Sequence, residues 1–210
     1  MKKYCSIVLV LLFPFLFSCT AMPPAERIPV PETVQPSLIP PPEKPVPSAY
    51  IMGEGRVDGE NLSLFFQYNN PSADMDYVRV LAAYYVNEAA FEGVSHDVAF
   101  IQMCLETGFL RFGGDVSPLQ YNFCGLGAVG NGEPGLSFPD PQTGVRAHIQ
   151  HLKGYATEEP LKGELVDPRY KWVRKGSSPT IDGLAGTWAA DGAYAAKLNN
   201  ILNRLYKFSF

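Results

Sequence analysis

The sequence predicts a mostly helical α+β domain with one small β element, preceded by a spacer and a short N-terminal apolar segment. Three features carry this reading. Apolar residues recur at helical spacing in several segments between Gly59 and Tyr206, glycine and proline dominate Gly125 to Pro141, and the composition changes abruptly near Tyr50.

Gly59 to Gln67 and Asp76 to Phe91 read as helices. In the second, Val80, Tyr84 and Val86 to Ala90 are expected to form the apolar face, and Gly93 ends it. Ser95 is placed to cap a helix from His96 to Thr107, with Gly108 as its left-handed stop. There Val98, Ile101, Cys104 and Leu105 share one side at 100° per residue, and Glu106 falls on the flank in the last turn, one turn after Gln102. The glycine-rich stretch around Leu126, Val129 and Leu136 suggests hairpin-like turns, the expected β-lobe. Pro141 to Ala156 and Asp191 to Tyr206 are the last two helices, with Val145, Ile149 and Leu152, then Tyr194, Leu198, Ile201 and Leu205, facing inward.

The N-terminus has its own logic. Lys2 and Lys3 precede an apolar run from Ile7 to Phe17 that is shorter than the roughly 20 residues of a spanning helix and is broken by Pro14. Leu16-Phe17-Ser18-Cys19 resembles the lipobox of bacterial lipoproteins, which implies cleavage before Cys19 and lipid on its thiol. The alternative is an ordinary cleaved signal without lipid. Ten of the twenty-five residues from Pro23 to Pro47 are proline, so residues 20–49 are expected to be a polyproline-like tether. At ~3.1 Å per residue, about 30 residues reach on the order of 90 Å. The expected order is therefore a signal over 1–19, a tether over 20–49 and one domain over 50–210. The expected location is the cell envelope, and Thr20 after the anchor suits an outer membrane facing the periplasm.

Charge and cysteine content narrow the function classes. A net charge of −4 lacks the basic surplus that binds nucleic acid. Cys104 and Cys124 are the cysteines left in the domain; they either pair in an oxidising compartment or sit as small buried apolar groups. His148 and His151 stand three apart without the acidic or cysteine partners of a metal motif, so neither metal nor cofactor is expected.

Glu106 is the carboxylate best placed to stay protonated near neutrality. It lies at the negative end of its helix, beside Phe109, Leu110 and Phe112. The segments Cys104-Leu105-Glu106-Thr107-Gly108-Phe109, Tyr121-Asn122-Phe123-Cys124-Gly125-Leu126-Gly127 and Gly144-Val145-Arg146-Ala147-His148-Ile149-Gln150-His151-Leu152 resemble the glucosaminidase family of bacterial autolysins, glycoside hydrolase family 73. The likeness continues through Leu165 to Arg169 and Gly186 to Asp191 as far as Tyr194.

This resemblance implies a lysozyme-like fold that cleaves peptidoglycan glycan strands at the N-acetylglucosaminyl bond, with Glu106 as proton donor. It implies that Asn122, Phe123 and Gly125 line the cleft and that Tyr194 contacts the substrate near the acid; Gln102, one turn before Glu106, is likewise expected to bind substrate. Glu133 is the leading second catalytic carboxylate and Asp140 the next; an N-acetyl group of the substrate is the alternative nucleophile. Tyr121, Phe123, Phe138, Tyr170, Trp172 and Trp188 are divided between sugar stacking and core packing. The rival readings are a glycan-binding module without turnover and a lytic transglycosylase on the same fold. The expected partners are peptidoglycan and, through lipid on Cys19, a membrane, with the chain acting as a monomer.

Overall fold

A computed structural model describes residues 43–128, 130 and 132–210. The signal, Cys19 and residues 20–42 of the spacer lie outside the described residues. Residues 43–210 form one compact unit, and Ala49 already belongs to it, because its carbonyl accepts the Ile181 amide at 2.9 Å.

Five α-helices carry the fold: α1 (Gly59–Asn69), α2 (Met75–Glu92), α3 (His96–Glu106), α4 (Pro141–Ala156) and α5 (Tyr194–Ser209). Each of the first four begins at a side chain suited to orphan amides: Asp58, Asp74, Ser95 and Asp140 accept from backbone N–H groups one turn on. The last helix starts at Tyr194, three residues later than expected, because Asp191 instead closes a turn by accepting the Ala193 amide at 2.8 Å. Helix α2 packs against α1, α3 and α4, while α3 also packs against α5. One continuous core, from Ile51 to Tyr206 in sequence, lies between them.

The inward face of α2 differs from expectation. Val80 is 47% exposed, and the buried stripe is Val78, Leu81, Ala82, Tyr85, Glu88, Ala89 and Glu92. Two glutamates on that stripe conceal it in the sequence, because buried carboxylates are rare unless paired. Here both are paired to α4: Glu88 takes Arg146 at 2.9 Å, and Glu92 takes Lys153 at 2.9 Å, with both members of the second pair buried. Glu92 further accepts the Lys162 and Gly163 amides, pinning the chain that follows α4.

The expected β-lobe is not formed as strands among the described residues. Side-chain amides do the work of a ladder there. Asn122 Nδ2 donates to the carbonyls of Leu126 and Leu136 at 2.9 and 3.0 Å, its Oδ1 accepts the Leu126 amide, and Gln120 donates to the Leu136 carbonyl. Two backbone bonds, Leu136 N–H to the Leu126 carbonyl at 2.8 Å and Phe138 N–H to the Gln120 carbonyl at 2.9 Å, complete the fastening. A loop closed in this way positions residues without the two-residue repeat that a strand requires.

This loop reaches α4 at one point of close approach. A Cβ on Gly144 would lie 1.9 Å from the Tyr121 carbonyl oxygen, which is backbone and has little room to yield. Gly144→Ala is therefore expected to lower stability by on the order of 3 kcal/mol, the upper range for overpacking. Urea unfolding of the two proteins checks this, and an unchanged midpoint would contradict the packing described.

Candidate active site

Helix α3 is buried from Asp97 to Cys104, so its only opening to solvent on the cleft side is at its C-terminus. Glu106 stands there, and beyond it the chain turns sharply. Gly108 takes a positive φ, and Phe109, Leu110 and Phe112 do so as well, a conformation L-residues adopt at a cost and mainly where surroundings enforce it. The surroundings here are specific. Asn70 donates to the Phe109 carbonyl at 2.8 Å, Thr107 Oγ1 accepts the Leu110 amide at 2.9 Å, and the Phe112 amide returns to the Thr107 carbonyl at 2.7 Å.

The Glu106 carboxyl is held through one oxygen. Trp188 Nε1 donates to Oε1 at 3.1 Å and the Tyr194 hydroxyl donates to the same atom. When the acid is protonated, an oxygen that accepts two hydrogen bonds serves as its carbonyl oxygen, so the acidic proton would sit on Oε2. Oε2 faces Gly125, where a Cβ would stand 3.9 Å away, an ordinary contact; Gly125 has φ +70°, so a side chain there would be strained.

Glu106 as a whole is exposed, yet protein encloses its carboxyl closely enough that desolvation raises its pKa, against the opposing pull of Tyr194 and Trp188. The expected source of that enclosure is partly revised. Phe112 does line the Glu106 pocket, but Phe109 turns away and packs its ring on Phe65 and Phe66. Tyr194 and Trp188 supply the nearest enclosure. Trp188 is itself wedged among the rings of His148, His151 and Tyr155, with centroids 5.2 to 5.7 Å apart.

The pocket at Glu106 has a volume of about 170 Å³ and shares Gly125 and Ala128 with a polar pocket of about 240 Å³ that reaches Trp188 and Arg169. On its other side it shares Phe112 with a pocket of about 470 Å³ that reaches Tyr77 and Tyr121. Through these shared residues the three pockets are contiguous, with Glu106 lining the one that connects the other two. Such a shape suits a linear polymer.

The remaining candidates distribute as follows. Gln102, expected to bind substrate, is instead fully buried, its amide taken by Tyr194 at 2.8 Å and by His148 at 2.9 Å. Asn122 lines the Glu106 pocket, but its amide is occupied by the loop carbonyls, so it shapes the cleft. Phe123 is core. Tyr194 is both core and site, 5% exposed and bonded to Glu106. Asp140 is committed to capping α4 through Thr143, which lowers its pKa.

Glu133 is an exposed loop residue. Asp115, which the sequence reading did not select, lines the Glu106 pocket and accepts the Gly132 amide at 3.0 Å, next to Glu133. Cys104 and Cys124 are both buried and unpaired, the apolar alternative of the two expected. His151 bonds Asp167 at 2.6 Å, and His148 joins Gln102 and Tyr85.

Residues 82–207 match the glucosaminidase family, mannosyl-glycoprotein endo-beta-N-acetylglucosaminidase. The chain belongs to this family. The glucosaminidase domain so defined includes Glu106, Trp188 and Tyr194, and it begins within α2. The chain is also 42% identical over 167 residues to an uncharacterized protein of Borreliella burgdorferi, covering 80% of this chain and 81% of the relative. No solved structure matches it.

The raised pKa of Glu106 has a consequence for stability. A carboxyl whose folded pKa exceeds its unfolded value keeps more protons when folded, so stability falls as pH rises through that folded pKa. Glu106→Gln, which cannot ionise, should gain thermal stability relative to the native protein on the alkaline side of that pKa, with the gap closing on acidification. Unfolding temperatures at pH 5 and pH 8 test it; a gap of the opposite sign would refute the burial argument.

Proposed function

We propose that this glucosaminidase domain hydrolyses peptidoglycan glycan strands at the N-acetylglucosaminyl bond, with Glu106 as general acid. The observation that carries the reading is a carboxyl whose pKa desolvation raises, lining the pocket that joins two others into one contiguous recess. Oε2 faces the cleft and Oε1 is tied back, so a glycosidic oxygen lying over Gly125 meets the proton directly. The Tyr194 and Trp188 donors then stabilise the carboxylate left behind.

Arg169 lines the polar end of the cleft, and among the described residues no carboxylate pairs with its guanidinium. It suits the acidic groups of a peptidoglycan strand. Asp115 lines the same pocket as Glu106 and holds the Gly132 amide, next in sequence to Glu133; in one route either carboxylate activates a water that attacks the anomeric carbon. The other route uses the 2-acetamido group of the substrate as nucleophile. The anomeric configuration of the first product separates them: the water route inverts it and the acetamido route retains it.

The N-terminal features complete the proposal. Lipid on Cys19 would hold the domain at a membrane of the envelope, and the proline-rich spacer would let it reach the wall.

Digestion of purified sacculi by the protein should release strands with new reducing N-acetylglucosamine ends. Glu106→Gln should slow release at least about a hundredfold while leaving the protein folded and able to bind sacculi. Anhydro-muramic ends would instead identify a lytic transglycosylase. Sacculus binding without release by the native protein would reduce the cleft to a glycan-binding groove.

A further inference from the structure

Glu106 is the last member of a hydrogen-bonded chain that crosses four helices. The hydroxyl oxygen of Tyr194 in α5, which donates to Glu106, accepts Gln102 Nε2 of α3 at 2.8 Å. Gln102 Oε1 lies 2.9 Å from His148 Nε2 in α4, and His148 Nδ1 lies 2.9 Å from the Tyr85 hydroxyl in α2. Gln102, His148 and Tyr85 are all 0% exposed, so partners within the protein must satisfy them.

The direction of every proton in this chain follows from its buried end. The Tyr85 hydroxyl has His148 Nδ1 as its partner, and a buried hydroxyl needs an acceptor for its proton, so Nδ1 accepts. Burial holds the imidazole neutral, with its pKa lowered to about 3, and its one proton therefore sits on Nε2. That proton goes to Gln102 Oε1, which turns the amide nitrogen toward Tyr194. With a lone pair engaged by Gln102, Tyr194 sends its own proton to Glu106 Oε1, and the acidic proton is left on Oε2.

The reverse order is sterically equivalent. A proton on His148 Nδ1 would turn Gln102 over, draw the Tyr194 proton toward Gln102 Oε1, and pull the Glu106 proton onto Oε1, away from the cleft. It would also leave the Tyr85 proton without an acceptor in the core. Tyr85 is thus the group that makes the two orders unequal.

We propose that Tyr85 and His148 are positioning residues of the reaction: by fixing the proton order of the chain, they keep the acidic proton of Glu106 on the oxygen that faces the glycan. This rests on Glu106 being the general acid. Among the described residues the titratable groups facing Glu106 are Tyr194 and Cys124, both kept protonated by burial, and Asp115, which lines the same pocket; those facing His148 are Tyr85 and its own-helix neighbour His151.

Tyr85→Phe removes the hydroxyl and keeps the ring that packs on Phe100 and His148. With soluble glycan fragments it should lower kcat about twofold at unchanged KM, because the productive and unproductive proton orders become equally populated. The alkaline limb of kcat/KM should move to higher pH, since the protonated acid gains a second hydrogen-bonded arrangement. An unmoved limb, or native kcat, would overturn the proposal. Nitrogen NMR of His148 in the native protein gives a second reading that requires no variant: Nε2 protonated and Nδ1 bare is expected, and the opposite tautomer overturns it. An active Glu106→Gln protein would remove the general-acid reading itself, whereas an inactive one with a native Tyr85→Phe profile would remove the proton order alone.

Discussion

The site depends on a helix with no free face over most of its length. Eight consecutive residues of α3, Asp97 to Cys104, are buried, so neither the rotation nor the axial position of the helix can change without disturbing packing on several sides. Its polar residues are consequently fixed points. At the N-terminal end Asp97 accepts the amides of Arg56 and Val57 and the hydroxyl of Tyr206, which ties the start of the domain and the end of α5 to the same helix. At the C-terminal end the same rigidity delivers Glu106 to the cleft. The orientation of the acid is therefore a property of the whole core, and the loop beyond it can adopt strained backbone because the helix before it does not move.

Much of this was legible in the sequence where the signal was local. Ser95, Gly93 and Gly108 bound their helices as capping chemistry predicts, and α4 matches its expected limits. The motif around Glu106 and the late Tyr194 were legible through family resemblance, and the structure brings them into contact across 88 residues of chain. What failed did so where side chains replaced the pattern. Glu88 and Glu92 hid the buried face of α2 because their cations, Arg146 and Lys153, lie more than fifty residues away. The glycine-rich stretch resembled a hairpin, but Asn122 and Gln120 close it from outside its own span.

Asp115 and the path behind Tyr194 were missed for a related reason. Asp115 lines the Glu106 pocket while accepting the Gly132 amide from another loop, a contact its own sequence neighbours do not announce. His148 did leave a trace, a polar residue immediately before Ile149 on the inward side of α4, but no partner for it is visible in the local sequence. A histidine at 0% exposure must instead have two partners, and those came from α2 and α3. Polar residues on an otherwise apolar stripe are thus better read as members of an unseen network than as solvent-facing interruptions.

The electrostatics of Glu106 show why such a network accompanies the acid. Desolvation alone raises the pKa, and unopposed it would leave a proton too tightly held to give away. Two donors on Oε1 counter it, but a tyrosine hydroxyl can accept as readily as it donates, so its effect on the acid is undetermined unless something else fixes its proton. Trp188 has no such ambiguity, since its N–H only donates, and its ring is held among three others. Tyr194 acquires the same certainty from Gln102 and His148. The balance at one carboxyl is thereby set by groups that never meet the substrate, which is how a core largely devoted to packing also comes to define the chemistry at its edge.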